Sequence, residues 1–171
     1  MACNTASTLV LPRLRSTFPD AHFIGVVPAI KPAASISSNK KIGLLATPAT
    51  VGRPYIDDLI ADYAPNCEIV RIGDSRLAQQ AERKLKGEDV DLKVLEEILE
   101  AFSAEQVDTV VLGCTHYPIL GKIIQDVLGE GINLVDSGRA TARVVLERLS
   151  KDKILSNKRE GELYSFVTDS T

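Results

Sequence analysis

Val107-Asp108-Thr109-Val110-Val111-Leu112-Gly113-Cys114-Thr115-His116-Tyr117-Pro118 is the stretch that decides the architecture. After Val107, Asp108 and Thr109, apolar side chains run without interruption from Val110 to Leu112, then give way to a glycine, small polar residues and a proline. A strand without polar alternation is buried on both faces, which is the habit of parallel sheets covered by helices. Downstream, Ile132 to Val135 reads as another strand. A helix follows from Gly138 to Leu149 with Ala142, Val145, Leu146 and Leu149 on one face, and then a strand at Leu163 to Val167. Upstream, Lys41 to Ala46 and Glu68 to Ile72 read as strands, separated by the loop Thr47 to Gly52 and a helix from Pro54 to Ala64. Asp74 or Ser75 can cap a helix that runs through Leu85 and stops at Gly87. The next helix carries Leu92, Leu95, Leu99 and Phe102 at helical spacing, a core stripe.

The first forty residues are less regular. Asn4 or Thr5 can cap a helix holding Leu9 and Leu14, which Pro12 should bend or shorten. His22 to Val27 reads as a short buried strand, and Pro28 to Pro32 should stay extended because proline disfavours helix in the residue before it. The polar stretch Ser35 to Asn39 is the natural linker between two lobes. Strands alternating with helices define an α/β fold with a mostly parallel sheet.

Composition narrows the function. The chain has 171 residues, 44% hydrophobic, with 23 acidic and 20 basic side chains and a net charge of -3. This acidic balance, without runs of Lys or Arg, excludes a phosphate-backbone binder, so no nucleic-acid partner is expected. No segment approaches the roughly 18 apolar residues of a membrane span. Three cysteines form no disulfide framework and fit a reducing cytosol.

Two segments share a design. Cys3-Asn4-Thr5-Ala6-Ser7 and Cys114-Thr115-His116 each set a cysteine before hydroxyl or amide groups where a helix is predicted to start. A helix N-terminus favours negative charge and can lower a thiol pKa from about 8.5, so either cysteine could act as a base; each could also be a small buried hydrophobe. Cys67 sits within a strand and reads as packing, and His22 as structural. Without a C-x-x-C pair or a second histidine near His116, no zinc site is expected. The chain lacks both a Walker A lysine and G-x-G-x-x-G. A Cys114–His116 nucleophile pair is weakened because residues two apart at a strand end often point in different directions.

The same residues resemble a known family. Cys3-Asn4-Thr5-Ala6-Ser7, Gly25 to Pro32, Gly43-Leu44-Leu45-Ala46-Thr47, Leu112 to Pro118 and Asp136-Ser137-Gly138 are similar, in order, to the glutamate racemases of the aspartate/glutamate racemase family. The resemblance implies a two-lobed α/β fold and a cytoplasmic bacterial isomerase that needs no cofactor or metal. The reaction it implies is a 1,1-proton transfer between L- and D-glutamate, feeding peptidoglycan synthesis. Inversion through a planar carbanion needs a base on one face and an acid on the other, which gives two thiols their purpose. By this resemblance Cys3 and Cys114 are catalytic, and Asn4, Thr5, Thr50, Thr115 and His116 hold the substrate. His116 could also steer protonation of its neighbouring thiol.

One departure from the family shapes the remaining expectations. Met1 stands where the family is already inside its first lobe; its upstream strands, an Asp-Ser loop and a Pro-Tyr-Gly segment have no counterpart. The expected organisation is therefore residues 1–34 as a remnant of the first lobe, 35–135 as the second α/β lobe, and 136–171 as the chain's return to the first. A first lobe missing strands should expose apolar edges, leaving residues 40–135 better folded. Two alternatives stand beside the glutamate racemase reading. One is a truncated, inactive fragment or partner-dependent module, with a homodimer open; the other is a racemase of aspartate or a related substrate.

Overall fold

The computed structural model describes residues 1–156 and Tyr164. Four parallel strands, β1 (Lys41–Ala46), β2 (Glu68–Gly73), β3 (Thr109–Leu112) and β4 (Asn133–Val135), form one sheet in the order β2-β1-β3-β4. Among the described residues, eight helices surround or extend it: α1 (Asn4–Thr17), α2 (Ile30–Ile36), α3 (Pro48–Val51), α4 (Pro54–Tyr63), α5 (Arg76–Leu85), α6 (Leu92–Ala104), α7 (Gly121–Leu128) and α8 (Gly138–Lys151). A 3-10 turn, Tyr117–Leu120, precedes α7. The α/β class and the parallel sheet read from the sequence are what the chain adopts.

Period-two alternation divides the core. Ile42, Leu44 and Ala46 face a layer built from α2 and α4, with Val111 beside them. Leu45, Val110 and Leu112 face the other way, against Leu77 and Ala81 of α5 and Leu95, Leu99 and Phe102 of α6. Gly43 is required by that second layer: a Cβ there would sit 2.7 Å from the Phe102 ring. Leu92, counted with the core stripe from its spacing, is exposed because it is the first residue of α6.

The N-terminal segment departs from its sequence reading in three places. Cys3, rather than Asn4 or Thr5, caps α1, and the helix runs through Pro12, whose missing N–H leaves only the Thr8 carbonyl unserved. Residues 22–27 are extended but join no strand ladder among the described residues. Their backbone is instead held locally: Val26 N donates to Ser7 Oγ at 3.0 Å, Arg15 to the Phe23 carbonyl at 3.1 Å, and the Met1 amino group to the Ile24 carbonyl at 2.7 Å. Ile30–Ile36 is a helix despite Pro32, because a proline in the first turn removes an N–H that has no helical partner anyway. The first two residues of the stretch expected as a linker, Ser35 and Ile36, thus belong to α2, which buries Ile30 and Ala33 in the layer that covers the sheet. The expected strand at Leu163 to Val167 lies outside the described residues.

At the sheet end where β1 and β3 begin, Asp108 fixes the turn after α2. Its carboxylate accepts from Ser37 Oγ (2.7 Å), Ser38 N (2.6 Å), Asn39 N (2.8 Å) and Thr109 Oγ1 (2.9 Å). Desolvation pushes its pKa upward, but the four donors outweigh it and hold the carboxyl below the ordinary range. Asp108→Asn is expected to lose about 1–3 kcal/mol at neutral pH. Because the folded pKa lies below the unfolded value of about 3.9, this stabilisation is present above that value and is lost as pH falls through the folded pKa. Urea midpoints of wild type and variant should therefore converge on acidification; a constant gap would refute the assignment.

Candidate active site

Parallel strands in register deliver their loops to one edge. Ala46 pairs with Gly73 and Leu45 with Leu112, so Thr47, Asp74 and Gly113 leave the sheet side by side. This is the carboxyl edge, where open α/β sheets place their ligands. The Gly113 N–H donates to the Leu45 carbonyl at 2.7 Å, and a Cβ at Gly113 would lie 3.0 Å from that of Ala46. Glycine leaves room for the next residue, Cys114, to start its turn this close to β1 without crowding Ala46. At β2, a Cβ on Gly73 would meet Val51 at 2.6 Å, so glycine there lets α3 rest on the strand end.

Cys114 is half-buried, and its Sγ lies 3.8 Å from His116 Nδ1. The other ring nitrogen, Nε2, is 2.7 Å from Glu82 Oε1 of α5. Cys114, His116 and Glu82 therefore form a line from thiol through imidazole to carboxylate, and the sequence worry that residues two apart would diverge does not hold in this turn. Burial pushes the Cys114 thiol up, opposed by the backbone N–H groups of His116, Thr115 and Tyr117, and raised further by Cys3 nearby. The lowering expected from a helix start is thus overcome by desolvation.

Cys3 faces a different environment. It is exposed, in an extended conformation at the N-cap of α1, with its Sγ accepting the Ala6 N–H at 3.4 Å. Thr115 Oγ1 reaches the Ala2 carbonyl at 3.4 Å, so residues adjacent to the two cysteines touch. Thr5 Oγ1 lies 2.8 Å from Thr50 Oγ1 and 3.1 Å from Thr47 Oγ1, which are themselves 3.0 Å apart. This triangle of hydroxyls joins α1 to the loop after β1. Thr50 is fully buried within it. Asn4 is 2% exposed, yet neither its Nδ2 nor its Oδ1 has a hydrogen-bond partner. An unpaired buried amide is costly, about 1–3 kcal/mol per group, and such groups mark places where a polar ligand can repay the penalty.

All seven residues singled out from the sequence therefore come to one edge: Cys3, Asn4 and Thr5 at the start of α1, Thr50 beside them, and Cys114, Thr115 and His116 opposite. Glu82 and Thr47 were not foreseen. Thr47 lay in a motif already quoted, but Glu82 is one acidic residue among several on an exposed helix face, and nothing local distinguishes it. Beside Cys114 opens an apolar cavity of about 580 Å³, bounded by Val26, Leu112 and Pro118 on one side and Val145, Leu146 and Leu149 of α8 on the other. No group of three or more His, Cys, Asp or Glu side chains suited to a metal ion occurs among the described residues.

Comparison with known proteins fits this constellation. Residues 1–145 match the model of the Asp/Glu/Hydantoin racemase family. The chain belongs to that family. It is 55% identical over 145 residues to glutamate racemase of Sodalis glossinidius, covering 84% of this chain and 50% of that protein. It is 52% identical over 165 residues to glutamate racemase of Aliivibrio fischeri, covering 96% and 62%. Among solved structures it is similar to Escherichia coli glutamate racemase, crystallised with L-glutamate and the activator UDP-MurNAc-Ala: TM-score 0.82, 50% identity, 88% of this chain and 57% of that one. The chain thus spans between half and about three fifths of the length of these racemases. No described helix is long and apolar enough to cross a membrane.

The two thiols should differ in reactivity. With iodoacetamide at neutral pH, exposed Cys3 is expected to alkylate about tenfold faster than Cys114, whose burial limits both access and thiolate. Peptide mass spectrometry gives the order directly; faster labelling of Cys114 would contradict the geometry.

Proposed function

We propose that this family member takes part in cofactor-independent interconversion of L- and D-glutamate by two-base proton transfer between Cys3 and Cys114, supplying D-glutamate for peptidoglycan in the bacterial cytoplasm. The observation that carries this reading is the convergence of the two cysteine turns, joined by Thr115 and Ala2, with Cys3 near enough to add to the upward push on the Cys114 thiol. The identity of about 50% to glutamate racemases supports glutamate as substrate.

The chemistry follows from the two environments. One cysteine, as thiolate, takes the α-proton; the other, as thiol, protonates the opposite face of the planar carbanion; the roles exchange with substrate hand. Burial keeps Cys114 protonated at rest, suited to the acid role. To act as base it must first lose that proton, and His116, oriented by Glu82, is placed to accept it. Asn4 offers an unpaired donor and acceptor to the substrate, and Thr5, Thr50 and Thr115 add hydroxyls on both sides.

A second reading, in which the chain works only with further protein mass as a homodimer or with a partner, is favoured by α8. That helix buries none of its residues, and Val145, Leu146 and Leu149 leave the cavity beside Cys114 open. On either reading, residues 1–34 and the described part of 136–171 belong to one lobe, a grouping supported by the hydrogen bond from Arg148 of α8 to His22.

The test is α-proton exchange of L- and D-glutamate in heavy water, followed by proton NMR and chiral analysis across a range of protein concentrations. Exchange with inversion is expected, and Cys3→Ala or Cys114→Ala should each reduce racemisation by more than about 100-fold. An active double variant would refute the two-base scheme, and activity that appears only at high protein concentration would favour the associated form. Aspartate as the better substrate would overturn the assignment to glutamate.

A further inference from the structure

We propose that Tyr117 is a positioning residue for Cys114, its hydroxyl tying the thiol-bearing turn to the carboxyl end of β2. The inference rests on Cys114 being one of the two reacting groups.

Tyr117 is fully buried, and its ring packs in the core layer shared with α5 and α6. Phenylalanine would fill that space equally well, so the hydroxyl is the feature to be explained. It donates to the main-chain carbonyl of Asp74 at 2.7 Å. The same residue closes the turn at its other end, since the Tyr117 N–H donates to the Cys114 carbonyl at 3.1 Å. One side chain therefore links the cysteine's turn to a different strand.

The anchor is itself braced. Arg76 Nη2 donates to the Asp74 carboxylate at 2.8 Å, the Arg76 backbone N–H donates to it at 2.7 Å, and the Arg76 guanidinium reaches Glu97 of α6 at 3.1 Å. Asp74 N donates to the Ala46 carbonyl at 3.1 Å, immediately before Thr47 of the hydroxyl triangle. The Tyr117–Asp74 bond thus couples the Cys114 turn to the end of β1, which leads into Thr47 and, in α3, Thr50. Two side chains of α5 hold the turn from another direction: Glu82 at His116, and Lys84 at the Ile119 carbonyl (2.8 Å). Burial pushes the Tyr117 hydroxyl well above its ordinary range, so it stays a donor at any working pH. Fixing the turn has a kinetic purpose, because misplacing a reacting group by about 1 Å can cost about 100-fold in rate.

Tyr117→Phe removes the hydroxyl and keeps the ring. The first readout needs no catalysis: iodoacetamide alkylation of Cys3 and Cys114 in the full chain as a function of pH. A released turn hydrates the half-buried thiol, so the Cys114 profile should shift toward lower pH and its rate rise about threefold, with Cys3 unchanged. Incorporation of 4-aminophenylalanine at position 117, which retains a donor, should restore the wild-type profile. The second readout is racemisation, where kcat should fall about 10- to 100-fold with KM within about twofold. An increased α-deuterium isotope effect is expected only for the enantiomer that Cys114 deprotonates.

Equal changes at both cysteines, no change at either, or failure of Tyr117→Phe to fold would each overturn the positioning role. If wild type shows no racemisation, the proposed function fails, and the alkylation profile alone decides whether Tyr117 sets the environment of Cys114.

Discussion

The in-register parallel pairing of β1 with β2 and β3 is the constraint on which the site depends. Ala46, Gly73 and Leu112 end their strands together, so three separate loops reach one edge without any of them having to be long. Two glycines make the arrangement dense enough to be useful: Gly73 lets α3 settle on β2, and Gly113 lets the Cys114 turn begin against β1. The opposite edge has a different task. There Asp108 closes the connection from α2 with four donors, and the sheet is held by polar contacts that take no part in the chemistry.

Two cysteines in similar sequence settings end in unequal surroundings. Cys3 caps a long helix at the surface, open to water. Cys114 enters a turn pinned by Tyr117 and lined by N–H groups, but burial outweighs those donors and favours its protonated form. In the proposed two-base scheme, a symmetric reaction would fall to an asymmetric pair of thiols. The line from Cys114 through His116 to Glu82 lies on the side where a proton is harder to lose. Asn4, buried without partners, shows the opposite economy: a polar group whose desolvation is left uncompensated within the protein itself.

What was legible beforehand divides along physical lines. β1 was read to the residue, and α5 and α6 were read closely, because their signals are local: an apolar run, a cap, a glycine stop, a helical stripe. Residues 22–27 have the same local signal as a strand, yet strand formation requires a neighbour. Here Ser7, Arg15 and the amino terminus take up the backbone groups instead. Ile30–Ile36 shows the reverse case, a helix formed against two prolines because one lies ahead of it and the other sits in its first turn, with Ile30 and Ala33 gaining burial on the sheet. Glu82 was invisible for a related reason: its meaning comes from a histidine thirty-four positions away.

The amino-acid sequence by itself determined the α/β class and the strand-helix alternation, because periodicity and capping are properties of neighbouring residues, and its resemblance to the racemase family pointed to the seven residues that gather at the site. Only the tertiary structure decided which thiol is buried, that Glu82 orients His116, that Thr47 completes a triangle with Thr5 and Thr50, and that the Tyr117 hydroxyl reaches Asp74. Desolvation and hydrogen bonding between distant segments depend on where the whole chain places its atoms, and no local pattern encodes that.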